Sequence, residues 1–247
     1  MAGIISAPPT VADTDSNIHD RLAHSFLRHV SRHSCRRITV CPGDARGYGA
    51  CYDRGPRISV GDGVVDALII VDMQVGLLEG APKHDLPGVI DRINSLSLMV
   101  RNEGGKVIWI RHCGKAGDLF ERRKPEWEFL PELNHRHDDL VVEKTLNDPY
   151  VETHLADTLA RMRPRRVLVV GWATDFCVDA TVRSTVSHDF HVVAVSDAHT
   201  LSDRPHLPAS TIIAHHNWLW SGLITNRSVR VVSTSELLAE RSHAATL

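Results

Sequence analysis

Alternating apolar runs and helical segments predict a three-layer α/β/α fold with a mainly parallel six-stranded sheet. The apolar runs are short and almost uninterrupted, as is typical of strands buried on both faces of a parallel sheet. Between the runs lie segments with apolar residues at helical spacing, and strands that alternate with helices form sheets covered by helices. The predicted strands span residues 67–71, 106–110, 140–142, 166–170, 191–195 and 229–232.

The helices predicted between these strands have recognisable ends. Residues 86–103 carry apolar side chains three or four positions apart and stop at Gly104 and Gly105, since glycine readily ends a helix. The segment 151–162 ends before Pro164, because proline is not tolerated in a helix interior. Further helices are predicted at residues 174–188, 207–223 and 234–240.

The first 62 residues differ from the rest of the chain. They are rich in Arg, Ser, Asp, His and Gly, and apolar periodicity is limited to a short amphipathic stretch at residues 18–30. A segment of this kind buries too little apolar surface to offset the entropy lost on folding. We therefore divide the chain into a poorly ordered extension, residues 1–62, and a single domain, residues 63–247.

Composition argues against several classes of function. Of the 247 residues, 43% are hydrophobic and 23% charged, and a net charge of −2 is unlike that of nucleic-acid-binding proteins. No apolar run approaches the roughly 20 residues that cross a bilayer, and the N-terminus does not resemble a secretory signal. Five cysteines without regular spacing favour reduced thiols. We expect a cytoplasmic protein with a small-molecule substrate and without nucleic-acid or membrane partners.

Three reactive side chains follow three of the predicted strands. Asp72 comes directly after the first strand, Lys144 follows the third, and Cys177 follows the fourth after a short connection. Parallel α/β sheets bind ligands beyond the carboxyl ends of their strands, so these side chains are expected to meet at one edge. An acid, a cation and a thiol together can form an activated cysteine nucleophile.

The roles of these residues follow from thiol chemistry. A thiol reacts as the thiolate, so Asp72 can accept the proton of Cys177 and Lys144 can stabilise the charges. Thr174 is a favourable N-cap, which would place Cys177 in the first turn of a helix, where the dipole lowers the thiol pKa. Backbone N–H groups of Ala173 and Cys177 would form an oxyanion hole.

The same residues carry a family resemblance. The chain resembles the isochorismatase-like cysteine hydrolases, which include nicotinamidases, N-carbamoylsarcosine amidases, ureidoacrylate amidases and isochorismatases. The resemblance rests on DALIIVDMQ (66–74), VVEKTLNDPY (141–150) and VVGWATDFCVDATVRSTVSHDFHVVAVSDAHT (169–200). It implies Asp72 as base, Lys144 as supporting cation and Cys177 as nucleophile. It also implies a cis peptide bond between Trp172 and Ala173, which would turn backbone donors toward the substrate.

The chain also departs from some members of this group. Nicotinamidases carry an Asp-x-His metal site after the second strand, where this chain reads RHCG at residues 111–114. We therefore predict no metal and no other cofactor, and we disfavour nicotinamide as substrate. Isochorismatases that cleave a vinyl ether often lack the cysteine, so Cys177 favours cleavage of an amide or carbamoyl C–N bond through a thioester. The alternatives are a vinyl-ether hydrolase that uses Asp72 and a non-catalytic binding module.

Several side chains near the strand ends are candidates for the substrate pocket. They are Gln74, Leu78, His112, Trp127, Tyr150, Trp172 and Phe176. Each of the aromatic residues also has a purely structural interpretation, since aromatic side chains most often serve packing. Relatives commonly form dimers or tetramers, and the apolar, aromatic-rich helix predicted at residues 207–223 is the candidate interface for a homo-oligomer.

Overall fold

The computed structural model describes residues 65–244 of the chain, with side chains described up to residue 241. The extension predicted at residues 1–62, with its short amphipathic stretch and three of the five cysteines, lies outside the described residues. In the part of the chain that is described, every helix is too short or too polar to cross a membrane.

Six strands form one parallel sheet, as predicted. They are β1 (Ala67–Val71), β2 (Lys106–His112), β3 (Leu140–Lys144), β4 (Val167–Trp172), β5 (Val192–Thr200) and β6 (Val229–Val232). Their order across the sheet is β3–β2–β1–β4–β5–β6, and every neighbouring pair is parallel. The sheet grows from β1 in one direction and from β4 in the other, so a ligand is expected where these two strands end.

Helices cover both faces of the sheet. They are α1 (Val75–Leu78), α2 (Leu86–Asn102), α3 (Leu155–Met162), α4 (Asp179–Ser187), α5 (Ala209–Ser221) and α6 (Thr234–Ala244). Ile93 of α2 and Leu237 of α6 pack on one face. Leu159 of α3, Val182 of α4 and Trp220 of α5 pack on the other. The prediction of a three-layer α/β/α fold is confirmed.

The central strand β1 shows why an uninterrupted apolar run forms a strand here. All five of its residues are fully buried, and they alternate between the apolar clusters on the two faces. Burying a large aliphatic side chain contributes about 1.5–3 kcal/mol, so both faces of β1 stabilise the sheet. The position of β1 in the middle of the sheet then places the residue that follows it, Asp72, at the centre of the edge.

A buried carboxylate lies at the opposite end of β1. Asp66 accepts hydrogen bonds from Arg165 at 2.8 Å, Arg166 at 3.1 Å and Arg241 at 2.7 Å. Its side chain is fully buried, and pairing with three guanidinium groups offsets the cost of removing a carboxylate from water. The cluster joins the starts of β1 and β4 to α6, at the edge away from the site described below.

Four strands are longer than the sequence predicts; β4, expected to end at residue 170, continues to Trp172. β2 was expected to end at residue 110 and β3 at residue 142, yet Arg111 pairs with Glu143 and His112 with Lys144. β5 likewise continues to Thr200. Polar side chains mark the ends of β2, β3 and β5 in the sequence, but the backbone ladder does not depend on side-chain polarity. The added length brings the ends of β2 and β3 to the candidate site.

Other elements begin later or were not predicted. The helix expected at residues 151–162 begins at Leu155, and the one expected at 174–188 starts as a π-helical turn before α4. The single turn α1 and the 3₁₀ turn Pro125–Trp127 were missed, because one turn is too short to show a periodic pattern.

Candidate active site

Asp72, Lys144 and Cys177 meet at the carboxyl edge of the sheet. Lys144 Nζ lies 2.6 Å from Asp72 Oδ2 and 3.3 Å from Cys177 Sγ, and it also donates to the Leu146 carbonyl at 3.0 Å. Asp72 is 1% exposed, Lys144 2% and Cys177 8%. A buried ammonium ion therefore joins the carboxylate to the thiol, with little water between them. The convergence expected from the sequence is present in the structure.

Close approach of β4 to β1 places Asp72. Gly171 has a φ of +120°, and a Cβ atom at this position would lie 2.3 Å from the Val71 carbonyl oxygen. Only glycine fits this contact without displacing backbone. Asp72 itself has a φ of 48°, and its backbone N–H donates to the Ile110 carbonyl at 3.1 Å. One carboxylate oxygen, Asp72 Oδ1, is buried without a hydrogen-bond partner from the described residues.

Cys177 lies in a π-helical turn, Thr174–Val178, that follows β4. The Val178 N–H donates to the Ala173 carbonyl at 3.1 Å, and the Trp172–Ala173 peptide bond is cis. Such turns are rare and frequently occur at functional sites. The expectation that Thr174 caps a helix is wrong, because Ala173 occupies the N-cap position and the Thr174 hydroxyl bonds elsewhere.

The Thr174 hydroxyl bonds to a buried histidine that the sequence analysis missed. His199 Nδ1 lies 2.9 Å from Thr174 Oγ1, and His199 Nε2 lies 3.1 Å from Asn217 Oδ1. Asn217 donates its Nδ2 to the Ser196 carbonyl, so its oxygen faces His199 and accepts from the imidazole N–H. The Thr174 hydroxyl then donates to Nδ1. A neutral imidazole thus links β5 and α5 to the turn that carries Cys177.

A charged pair joins the same turn to the loop after β5. Arg204 Nε and Nη2 donate to the two carboxylate oxygens of Asp175 at 2.8 and 2.7 Å. Such bidentate pairs fix geometry as well as adding energy. The Arg204 guanidinium also lies 5.2 Å from the ring centroid of Phe176. A neutral contact from His199 of β5 and an ionic contact from Arg204 of the β5–α5 connection therefore hold the residues that precede Cys177.

Burial keeps the resting thiol protonated. It raises the pKa of Cys177 to about 12; the Asp72 carboxylate raises that pKa further and the Lys144 ammonium opposes the shift. The expectation of a lowered thiol pKa is therefore wrong, since the effect of desolvation outweighs that of the cation. Burial also raises the pKa of Asp72, against the effect of Lys144, and a raised pKa makes this carboxylate a stronger base.

Alkylation of Cys177 by iodoacetamide is expected to rise with pH from 7 to 10 without levelling off. A thiol with a pKa of about 12 has a smaller thiolate fraction at neutral pH than an ordinary cysteine, whose pKa is about 8.5. Peptide mass spectrometry of time-resolved samples gives the rate at Cys177 separately from that at Cys113. A rate that levels off below pH 8 would contradict the protonated resting thiol.

Replacing His199 is expected to change how stability depends on pH. Burial lowers the pKa of His199 to about 4, whereas an unfolded histidine has a pKa of about 6.5. The unfolded chain therefore binds the proton first as the pH falls. Stability present above pH 6.5 is lost toward pH 4, by up to about 3 kcal/mol from this residue.

Urea unfolding of the wild type and the His199→Gln variant at several pH values tests this linkage. Glutamine keeps hydrogen-bonding groups but does not titrate, so the difference in the free energy of unfolding should shrink as the pH falls from 7 to 4.5. Parallel pH dependences of the two proteins would show that His199 is not held neutral.

Of the seven side chains proposed for the pocket, Phe176 and His112 are partly or fully exposed near the ends of β4 and β2. Phe176 precedes Cys177 and is 51% exposed. The His112 ring meets the Phe120 ring edge to face, with centroids 5.6 Å apart. Burial lowers the pKa of His112; the Asp72 carboxylate opposes this shift and the Lys144 ammonium adds to it, so the ring lies within electrostatic range of both groups.

The structure corrects the pocket prediction for Gln74 and Leu78. Gln74 is fully buried, and its amide binds backbone groups of His112 and Trp127 at 2.7 to 3.0 Å. It therefore clamps β2 to the 3₁₀ turn and has no free polar atom to offer a substrate. Leu78 packs in the apolar cluster of α2, on the face of the sheet away from Cys177.

Within the described part of the chain, Trp127 and Tyr150 use their polar atoms in contacts with the protein, whereas Trp172 does not. Trp127 donates its indole N–H to Cys113 Sγ at 3.1 Å, and its ring covers the Arg111 guanidinium at 3.8 Å. Tyr150 donates its hydroxyl to a threonine of α4 at 2.9 Å. The Trp172 indole N–H is buried without a partner among the described residues.

One polar residue close to the sulfur was not predicted. Asn147 Oδ1 lies 3.6 Å from Cys177 Sγ, in the loop that follows β3. Its position three residues after Lys144 was the available signal, but nothing in the sequence sets this amide apart from a surface asparagine.

Among the described residues, no three His, Cys, Asp or Glu side chains are grouped closely enough to hold a metal ion. The absence of a cofactor stays a prediction.

Comparison with known proteins places the chain in a family. A family model described as the isochorismatase domain matches residues 66–213. The chain is 30% identical over 145 residues to a streptothricin hydrolase of Streptomyces noursei, covering 58% of this chain and 52% of that protein. It is 27% identical to a ureidoacrylate amidohydrolase of Acinetobacter baylyi, covering 53% of this chain and 69% of that protein.

A solved structure agrees with these matches. The crystal structure of an isochorismatase from Pseudomonas putida is 25% identical, with a TM-score of 0.63, and the match covers 69% of this chain and 89% of that one. The chain spans just over half the length of the streptothricin hydrolases that it matches. Because the family model covers the segment from β1 into α5, with Asp72, Lys144 and Cys177 inside it, this chain belongs to the isochorismatase family.

Proposed function

We propose that this protein is a metal-free cysteine hydrolase that cleaves a C–N bond of a small amide or carbamoyl compound. The observation that carries the proposal is the contact of Lys144 Nζ with both the Asp72 carboxylate and the Cys177 sulfur. A buried acid, cation and thiol in contact are the elements of nucleophilic catalysis by cysteine. Lys144 supplies positive charge beside the thiol without a metal.

In the first half of the reaction, Asp72 takes the proton of the Cys177 thiol. The sulfur attacks the carbonyl carbon, and the electron pair of the C=O bond moves onto the oxygen. Backbone N–H groups of Ala173 and Cys177 would stabilise this oxyanion. When the electron pair returns, the C–N bond breaks and Asp72 gives its proton to the leaving nitrogen. The products are a free amine and a thioester on Cys177.

In the second half, water replaces the amine. Asp72 takes a proton from the water molecule, whose oxygen attacks the thioester carbon, and the C–S bond breaks. The proton returns to the sulfur, which restores the thiol. Lys144 stays charged throughout and stabilises whichever of Asp72 and Cys177 is anionic. Burial raises the pKa of both groups, and the raised pKa of Asp72 favours its role as the group that accepts the thiol proton.

The curated relatives support a reaction at a C–N bond. The names streptothricin hydrolase and ureidoacrylate amidohydrolase describe hydrolysis, the second of an amide-type bond. A vinyl-ether hydrolase that uses Asp72 alone is the second candidate, favoured by the solved structure of a protein called an isochorismatase. These two candidates differ in whether Cys177 is needed.

A substrate panel tests the proposed function. Small amides, carbamoyl compounds and isochorismate are each incubated with the wild type and with Cys177→Ala, with and without a chelator. We expect at least one amide or carbamoyl compound to be hydrolysed by the wild type, with or without chelator, and not by Cys177→Ala. Hydrolysis that survives the substitution would overturn the thiol mechanism, and loss of activity with the chelator would overturn the metal-free one.

We also propose a cytoplasmic homo-oligomer, either a dimer or a tetramer. The two cysteines of the described residues, Cys113 and Cys177, are free and buried, which suits a reducing compartment. Trp218 of α5 is 73% exposed and, with Leu219 and Leu223, lines a surface groove between α5 and α4. An exposed aromatic next to aliphatic side chains is typical of protein interfaces. Sedimentation of the full chain, with Trp218→Ser as comparison, tests this oligomer.

A further inference from the structure

Asn147 is an exposed polar side chain next to the sulfur of the proposed nucleophile. Its carboxamide oxygen lies 3.6 Å from Cys177 Sγ, and the residue is exposed whereas the thiol is nearly buried. The amide therefore lies on the side from which a substrate must approach the sulfur. No role in the reaction described above requires it.

The loop on both sides of Asn147 is anchored. The carbonyl of Leu146 accepts a hydrogen bond from Lys144 Nζ at 3.0 Å. The carboxylate of Asp148 accepts hydrogen bonds from the Tyr150 N–H at 2.9 Å and from the Ser184 hydroxyl. Because its two neighbours are fixed, Asn147 presents its amide to the sulfur at little further entropic cost.

The geometry limits what Asn147 touches in a bound substrate. The atoms attached to the carbon that Cys177 attacks lie within two bonds of the sulfur. A carboxamide whose oxygen is 3.6 Å from that sulfur therefore comes within hydrogen-bond reach of whichever of these atoms is on its side of the sulfur. The oxyanion faces the backbone of the turn after β4. In the proposed reaction Asp72 protonates the leaving nitrogen, so this nitrogen must lie near Asp72. The partner of Asp72, Lys144, also holds the Leu146 carbonyl in the loop that carries Asn147.

We propose that the Asn147 carboxamide oxygen accepts a hydrogen bond from the N–H of the scissile nitrogen. The proposal rests on the proposed function and predicts a preference for amides and ureido compounds whose scissile nitrogen carries a hydrogen. Esters and fully substituted amides present no donor there, so they gain no hydrogen bond to the amide oxygen. Sites built to bind a donor discriminate in this way against analogues that lack it.

A matched pair of substrates tests this role. p-Nitroacetanilide and p-nitrophenyl acetate share an acetyl group and differ in N–H or O at the scissile bond. Asn147→Ala should lower kcat/KM for the anilide by about tenfold, the effect of one hydrogen bond, and leave that for the ester within about twofold. Asn147→Asp keeps the acceptor, so the ratio of anilide to ester turnover should stay near the wild-type ratio. Thr145→Ala, an exposed neighbour in the same loop, is the control.

The outcomes separate this inference from the proposed function. The role of Asn147 is overturned if Asn147→Ala lowers kcat/KM equally for the anilide and the ester, or lowers neither. This holds even if Cys177→Ala is inactive. Turnover that survives Cys177→Ala overturns the proposed function itself. If neither nitrophenyl compound turns over, the rates at which the anilide and the ester acetylate Cys177, followed by mass spectrometry of the protein, replace the turnover rates. The ratio of these rates should then fall in Asn147→Ala, and an unchanged ratio would contradict the proposal.

Discussion

The Asp72→Asn variant is expected to lose about 10³- to 10⁴-fold in turnover while keeping the shape of the site. Asparagine fills the same volume and can still contact Lys144, but it cannot take the proton of a thiol whose pKa is about 12. Both halves of the proposed reaction pass a proton through this carboxylate, so both should slow. Steady-state kinetics on an amide substrate measure the loss.

The same substitution should also destabilise the protein. Lys144 is fully buried at its side chain, and removing its carboxylate partner leaves an uncompensated charge at a cost of about 3–5 kcal/mol. Adding Lys144→Met removes that charge, so the double variant should regain stability without regaining turnover. Activity of Asp72→Asn within tenfold of the wild type would show that Asp72 is not the base.

Gly171→Ala is expected to lower the free energy of unfolding by about 3–5 kcal/mol and to abolish turnover. The added Cβ would lie 2.3 Å from the carbonyl oxygen and 2.7 Å from the nitrogen of Val71, and neither backbone atom can move without shifting β1. Asp72 follows Val71 directly, so a displaced β1 carries the base away from the thiol. Chemical denaturation and kinetics measure the two effects.

Gly80→Ala is the matched control for Gly171→Ala. Gly80 also has a positive φ, +78°, but a Cβ there would have no heavy atom within 4 Å. Gly80→Ala should lower the free energy of unfolding by only about 1–2 kcal/mol, because alanine is unfavourable at this φ, and should leave turnover unchanged. Equal effects of the two substitutions would mean that backbone strain, and not the contact between β4 and β1, explains the loss at Gly171.

The fold could be predicted because the buried parts of this chain are regular. β1 is apolar at every position, as a central parallel strand must be, and α2 carries apolar residues on one face between clear stop signals. The ends of β2 and β3 could not be predicted, because Arg111 and His112 are polar yet still pair with their neighbours in β3. The backbone hydrogen bonds that extend these strand ends do not depend on side-chain type, so the sequence does not reveal them.

The candidate site could be predicted in part for a similar reason. Asp72, Lys144 and Cys177 each follow a strand closely, so strand order alone brings them together. The contacts that hold the π-helical turn with Cys177 come from residues far along the chain. Examples are the contact of His199 with Thr174 and that of Arg204 with Asp175. A periodic or local pattern carries no information about such pairs.

The thiol pKa shows a further limit of sequence reasoning. A helix start and a nearby lysine both favour the thiolate, and from the sequence they suggested a lowered pKa. Burial and the Asp72 charge act in the opposite direction and dominate in the folded protein. The depth of a site and the distances within it decide whether the thiol pKa is raised or lowered. The sequence alone gives neither quantity.

The most direct test of thiol catalysis is mass spectrometry of the protein quenched during turnover of p-nitrophenyl acetate. We expect the wild type to gain one acetyl group on the peptide that contains Cys177, through a bond that hydroxylamine cleaves as it cleaves thioesters. Cys177→Ala should gain none and release no nitrophenol above background. Steady turnover by Cys177→Ala, without an acetylated intermediate in the wild type, would contradict the account.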